Sequence, residues 1–213
     1  SIGEGLNEIF RELGADYIIE GGQTMNPSTE DMLAAIDAVN AEHIFILPNN
    51  KNIIMAANQA AELVEDKKIV VIPSKSVPQC ISAMVEFNDK KSAEANEKAM
   101  NKAIGRVASG QLTYAVRDTE IDGIEIKKDD ILGMVEGKIV TVGKDIDDVL
   151  NRVVSQMVDE DTEFLNVYYG KEIKKPQADV MLKALETKYA DDEIEVSFKK
   201  GGQPLYYYII SAE

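Results

Sequence analysis

Short apolar runs alternate with amphipathic stretches from the start of the chain to about residue 88, and this alternation leaves few folds open. Leu6, Ile9, Phe10 and Leu13 recur at helical spacing and Gly14 stops the helix. Residues 17–19 read as a buried strand. Met32, Leu33, Ile36 and Val39 mark a second helix, and residues 43–47 a second strand. Ile53, Ile54, Ala57, Ala61 and Val64 line a third helix, residues 69–72 form a third strand, and a short helix follows Pro78. Strands and helices in alternation, joined by right-handed crossovers, give a parallel sheet covered by helices.

Each expected strand runs into a polar segment, and a helix leaves it. In an open parallel sheet ligands bind beyond the carboxyl ends of the strands, so three such segments outline a candidate site. In the first, Gly21 and Gly22 let a ligand approach the backbone closely. Gln23, Thr24, Asn26 and Ser28 offer hydrogen-bonding groups beside a helix start, which suits phosphate or carboxylate. The same residues also suit a glycine turn followed by an N-cap, and Ser28 with Asp31 has capping-box spacing. The second segment, Asn49, Asn50, Lys51 and Asn52, supplies amides and a cation, or simply caps the third helix. In the third, Lys75 could meet a phosphate as a point charge beside Ser74 and Gln79, or the segment is a proline-framed turn. Gly201, Gly202 and Gln203 repeat the Gly-Gly-Gln of the first segment. They precede an expected strand over residues 205–210, in which Tyr206 and Tyr208 share one face and Tyr207 takes the other, either packed on the core or lining a surface.

The pattern changes after about residue 88. A charged, Ala-rich helix over residues 88–109 reads as a connector. Strands follow over residues 112–116, 121–126 and 131–142, the last folded at a Glu136-Gly137 hairpin turn. A helix over 146–158, a strand over 164–169, a helix over 177–189 and strands over 194–198 and 205–210 complete the chain. The expectation is α/β: a parallel α/β domain over residues 1–88, then a smaller, mostly antiparallel α+β domain over 89–213.

With 45% hydrophobic and 29% charged residues the chain can build a real core. A net charge of −15 argues against nucleic acid or an anionic membrane as partner. The single cysteine, Cys80, excludes an internal disulfide, fits a reducing, cytoplasmic setting and reads as a small packed residue. His43, the lone histidine, has no companions at metal spacing. Asp145, Asp147 and Asp148 cluster where a helix dipole favours them, and their spacing is not that of a calcium loop. No signal peptide or spanning run is visible, and no Walker, kinase, Gly-x-Ser-x-Gly or His-Glu-x-x-His motif is present. No catalytic residues and no metal site are therefore assigned. The Ser start, opening almost directly into a helix, suggests a piece cut from a longer protein.

Several segments carry a resemblance that spans nearly the whole chain: Gly-Gly-Gln-Thr-Met-Asn-Pro-Ser-Thr-Glu-Asp (21–31), Leu-Pro-Asn-Asn-Lys-Asn-Ile-Ile (47–54) and Val-Ile-Pro-Ser-Lys-Ser-Val-Pro-Gln (71–79), then Leu-Thr-Tyr-Ala-Val-Arg-Asp-Thr (112–119) and Gly-Gly-Gln-Pro-Leu-Tyr-Tyr-Tyr (201–208). Together they resemble the C-terminal region of bacterial dihydroxyacetone-kinase-like proteins with an N-terminal DhaL-type nucleotide domain, among them the ATP-binding subunit of fatty acid kinase. The resemblance implies a DegV-like fold and a non-catalytic domain that docks a separate acyl-binding DegV-like protein for fatty-acid phosphorylation. It places ATP, Mg²⁺ and the phosphotransfer residues on the upstream DhaL domain, with no cofactor here, and leaves a homodimer open. The segment from Gln23 to Ser28 is similar to a carboxylate-holding loop of acyl-binding DegV relatives, whereas Asn50-Lys51-Asn52 lacks the Ser-Gly-Thr helix start expected there. The alternative reading is a module that binds a small anion or a fatty acid itself.

Overall fold

The computed structural model describes residues 1–21 and 26–213. These divide into two compact units, Ser1–Ile2 with Asn7–Val107 and Gly3–Leu6 with Ala108–Glu213. Helix α1 (Glu4–Glu12) begins in the second unit and continues in the first.

The rest of the first unit runs α2 (Thr29–Ala38), β1 (His43–Ile46), α3 (Lys51–Leu63), β2 (Lys68–Val71), α4 (Val77–Glu86) and α5 (Ala93–Ile104). β1 and β2 pair in parallel, from His43 opposite Lys68 to Ile46 opposite Val71. Residues 17–19 do not add a third strand. The Ile19 carbonyl accepts from the Ser1 nitrogen at 2.8 Å, and Gly21 N–H donates to the Ser1 carbonyl at 3.1 Å. The Ile19 carbonyl and Gly21 N–H are thus taken by the N-terminal residue rather than by a sheet neighbour, and the first polar segment follows no strand. The apolar stripes pack as their spacing requires: Met32 and Ile36 of α2 meet Ile44 of β1 and Ile53, Ala57 and Ala60 of α3. Val70, Ile72, Ala83 and Met100 form a second cluster. The helices start on their expected caps. Ser28 makes the full capping box with Asp31, and Asn50 accepts from Asn52 N–H at 2.9 Å.

The expected helix over 88–109 is shorter at both ends. Residues 88–92 turn, because the buried Asn96 side chain accepts from Asn88 N–H and donates to its carbonyl, both at 2.9 Å. Residues 108 and 109 already belong to a strand, and α5 packs against α4.

The second unit, expected to be the smaller part, carries the larger sheet. Its strands are β3 (Ala108–Tyr114), β4 (Thr119–Ile121), β5 (Ile124–Ile126), β6 (Ile131–Val135), β7 (Lys138–Gly143), β8 (Phe164–Tyr169), β9 (Glu195–Lys200) and β10 (Tyr208–Ala212). Its helices are α6 (Ile146–Met157) and α7 (Lys175–Lys188). Six strands form one sheet in the order β7-β6-β3-β10-β8-β9, antiparallel except for the parallel β8–β9 pair. β4 and β5 form a separate hairpin. The Glu136-Gly137 turn forms as expected, with positive φ at both residues. Val149, Leu150, Val153 and Val154 of α6 pack on Leu112, Leu165, Val167, Tyr208 and Ile210. Gly133 lets that helix come close, since a Cβ there would sit 2.4 Å from Val153 Cγ2. Residues 205–207 are not strand. Leu205 takes positive φ and Tyr206 N–H turns back to the Pro204 carbonyl at 2.8 Å, so of the three tyrosines only Tyr208 enters β10.

Candidate functional site

The first unit contains a cavity of about 250 Å³. It lies among residues 14–21 of the α1–α2 connection, α2, β1 and the loop after it, and α4. Its wall is apolar: Phe10, Ile18, Met32, Ile36, Ile44, Met84, Phe87 and Met100 all contribute. Gly21, Asn49 and Cys80 line it too, at the end where β1 delivers its chain. The titratable side chains among the described lining residues are Asp16, Tyr17, His43 and Cys80, with no Lys or Arg.

Most polar groups nearest this cavity are committed to one another; the exception is the Ser1 hydroxyl, which lines the cavity buried and without a hydrogen-bond partner among the described residues. Ser74, fully buried, donates to the Pro48 carbonyl at 2.6 Å. The Cys80 sulfur lies 3.1 Å from the same carbonyl and 3.4 Å from Ser74 Oγ. Burial pushes the Cys80 thiol up to about 11, so it stays a neutral thiol at any ordinary pH. Asn50 links two of the polar segments, with its amide nitrogen 3.3 Å from Asn26 Oδ1 and 3.5 Å from Asn49 Oδ1. Ser28 is taken up by the capping box, where its hydrogen bonds hold the Asp31 carboxyl below the usual range. Gln79 accepts from Lys75 N–H at 2.7 Å. Lys51, Asn52 and Lys75 are exposed. Gly22, Gln23 and Thr24 lie outside the described residues.

Thus Gly21 and Asn49 face the cavity, Asn26 and Asn50 stand beside Asn49, and Ser74 sits behind Cys80. Ser28, Lys51, Asn52, Lys75 and Gln79 serve helix starts or solvent. Gly201, Gly202 and Gln203 belong to the second unit. Gly201 and Gly202 N–H both donate to the Tyr169 carbonyl, at 2.9 and 3.1 Å, and Gln203 Nε2 donates to the Tyr168 carbonyl at 2.8 Å. The Gly201 carbonyl accepts from Leu6 N–H at 3.0 Å, so this loop seats the first turn of α1. Gly5 makes that contact sterically feasible, because a Cβ there would fall 1.9 Å from the Lys200 carbonyl oxygen.

The cavity wall is the part that sequence reasoning missed. Met32, Ile36 and Ile44 have the spacing of ordinary core residues, and nothing in that spacing distinguishes a filled core from one with a space left in it. Asp145 caps α6 by accepting from Asp148 N–H at 2.8 Å. Among the described residues no cluster of three or more His, Cys, Asp or Glu could hold a metal.

The model of the FakA-like family, which describes the C-terminal region of a fatty acid kinase component, matches residues 1–213. The YloV protein of Bacillus subtilis is 49% identical over all 213 residues, and a protein of Staphylococcus aureus strain USA300 is 47% identical. The chain spans 38% of the length of these relatives. Among solved structures, a DegV family protein from Corynebacterium glutamicum is similar with a TM-score of 0.65 at 13% identity, covering 97% of this chain and 91% of that one. The fatty acid kinase B3 protein of Streptococcus pneumoniae, solved loaded with linoleic acid, is similar with a TM-score of 0.62 at 12% identity, covering 98% and 83%. These likenesses show a DegV fold.

Proposed function

Because this chain belongs to the FakA-like C-terminal family of fatty acid kinase, we propose that it is the non-catalytic module of such a kinase that docks a separate acyl-binding DegV-like protein. The longer protein would supply ATP and Mg²⁺ chemistry from a DhaL-type domain, in the cytoplasm. This module would hold the acyl carrier in register with that chemistry. Positioning is a large part of phosphoryl transfer, so a docking module can control the rate without touching the phosphate.

One observation carries this reading: the DegV fold is kept while its cavity is small. About 250 Å³ falls below the roughly 300–1,000 Å³ of pockets that enclose drug-sized ligands. No Lys or Arg lines it among the described residues to meet a carboxylate, and the Ser1 amine that does line it already donates to the Ile19 carbonyl. A chain with this cavity is poorly suited to enclosing a long fatty acid, so the acyl group is better presented by another protein. The space still exceeds the roughly 150 Å³ of a dry engineered cavity that takes benzene. That favours, as a second reading, a module that binds a short apolar group.

Two measurements on the same preparation test both. Mass spectrometry of the protein as purified should find no stoichiometric long-chain fatty acid. Calorimetric titration with an acyl-loaded DegV-like protein should give a saturable one-to-one isotherm. A bound long acyl chain would overturn docking in favour of an acyl carrier, and a flat isotherm would remove docking altogether.

A further inference from the structure

The β4–β5 hairpin stands apart from the six-stranded sheet and has two faces of opposite character. Thr119 pairs with Ile126, Glu120 with Glu125 and Ile121 with Ile124. Side chains alternate along a strand, so Ile121, Ile124 and Ile126 share one face and the two glutamates share the other. Ile126 is 1% exposed and anchors the base, whereas Ile121 and Ile124 are 41% and 37% exposed, and Val116 just before the hairpin is 73% exposed. The apolar face therefore runs out of the core into solvent.

The hairpin is also held ready. Asp122 and Gly123 both take positive φ, the two-residue turn that matches strand twist. At its base Asp118 Oδ1 accepts from Lys128 N–H and Asp130 Oδ2 from Lys127 N–H, each at 2.7 Å. Yet its sequence works against it. In a two-residue hairpin the residues flanking the turn exchange the ladder hydrogen bonds, so Glu120 and Glu125 form the close, non-hydrogen-bonded pair. Like charges directly opposite are destabilising, and two short strands alone are marginal in water. The same geometry turns the N–H and C=O groups of Glu120 and Glu125 outward along both edges, and β4 and β5 pair with no other strand among the described residues.

An occupant that answers all three features has a definite chemistry. An open edge takes an extended strand. The apolar face takes alternate apolar side chains, and the glutamate pair, with Asp122 beside it, takes Lys or Arg. A second copy of this chain does not fit, since it would bring four glutamates together. An anionic lipid surface or nucleic acid would meet the same repulsion. We infer that the β4–β5 hairpin is a docking prong for an extended segment of a partner protein in which Lys or Arg alternates with apolar residues. The inference rests on the docking reading above and names its surface.

A synthetic Ac-(Lys-Val)₄-NH₂ peptide is the probe, with Ac-(Lys-Ser)₄-NH₂ as the equal-charge control, both titrated into the 213-residue chain and followed by backbone NMR shifts. The Lys-Val peptide should saturate with shifts centred on residues 116–126, and the control should bind more weakly and without that focus. Glu120→Gln/Glu125→Gln should weaken Lys-Val binding about tenfold, as the loss of close charge pairs does. The same double variant should leave thermal stability unchanged or raised, since it removes a repulsion. Equal binding of the two peptides, shifts elsewhere, or binding unaffected by the double variant would overturn the inference. The two proposals fail separately. An acyl-loaded DegV-like protein that binds wild type and the double variant equally would leave docking standing and remove the prong. Peptide binding without binding of that protein would do the reverse.

Discussion

Single side chains in this protein act against their usual propensities, and burial decides the sign. Gly5 sits inside a helix, where replacing glycine with alanine normally stabilises by about 1 kcal/mol. Here the added Cβ would meet the Lys200 carbonyl oxygen, a backbone atom that cannot swing aside. Gly5→Ala should therefore destabilise by roughly 1–3 kcal/mol, as overpacking does, measured by urea denaturation. Cys80 is governed by desolvation. Its folded-state value is raised to about 11 from an ordinary 9.0, so folding favours the neutral thiol. That contribution is complete below pH 9 and is lost as pH rises toward 11. Cys80→Ala should flatten the alkaline fall in stability over that window. In the wild type, a thiol reagent at about pH 8 should leave Cys80 untouched until denaturant is added.

Elements begin and end where a side chain supplies what the backbone lacks. Ser28, Asn50, Ser76 and Ser92 each accept from an early N–H of the helix that follows, and the starts at Ser28 and Asn50 could be read from residue type. The bend at residues 88–92 could not. It depends on Asn96, one turn inside α5, reaching back to both backbone groups of Asn88. Asn96→Ala removes two part-buried hydrogen bonds, each worth roughly 0.5–1.5 kcal/mol, and should lower stability by roughly 1–3 kcal/mol. Hydrogen exchange should rise over residues 88–92 while α6 and β10 keep their protection. The failed strand at residues 17–19 teaches the same lesson, since an apolar run becomes a strand only where a neighbouring strand is available to pair with it.

For the whole molecule, charge and core volume set the behaviour. A net charge of −15 on 213 residues opposes compaction through self-repulsion. Raising NaCl from a few millimolar to about 150 mM, where the Debye length is about 8 Å, should raise Tm measured by calorimetry. A fall in Tm would mean that attractive surface pairs such as Lys68–Glu94 and Lys175–Asp179 outweigh the net repulsion.

Hydrophobic period, helix caps and turn residues act over a few positions, and they determined most of the order of helices and strands, the Glu136-Gly137 hairpin and the extent of β8 at Phe164–Tyr169, but not the turn at Asp122-Gly123 that breaks the strand expected over 121–126 into β4 and β5. The resemblance in the polar segments pointed to the DegV fold that the structural neighbours show. The polar residues of the candidate site were legible by type, but not which of them cap helices and which face a space. Three features needed the tertiary structure: which apolar stripes close on one another and which leave a cavity, the seating of α1 by the Gly201–Gln203 loop, and the outward run of Ile121 and Ile124. Each depends on groups far apart in the chain meeting at ångström distances. Local spacing records which face a residue takes, not what lies opposite it.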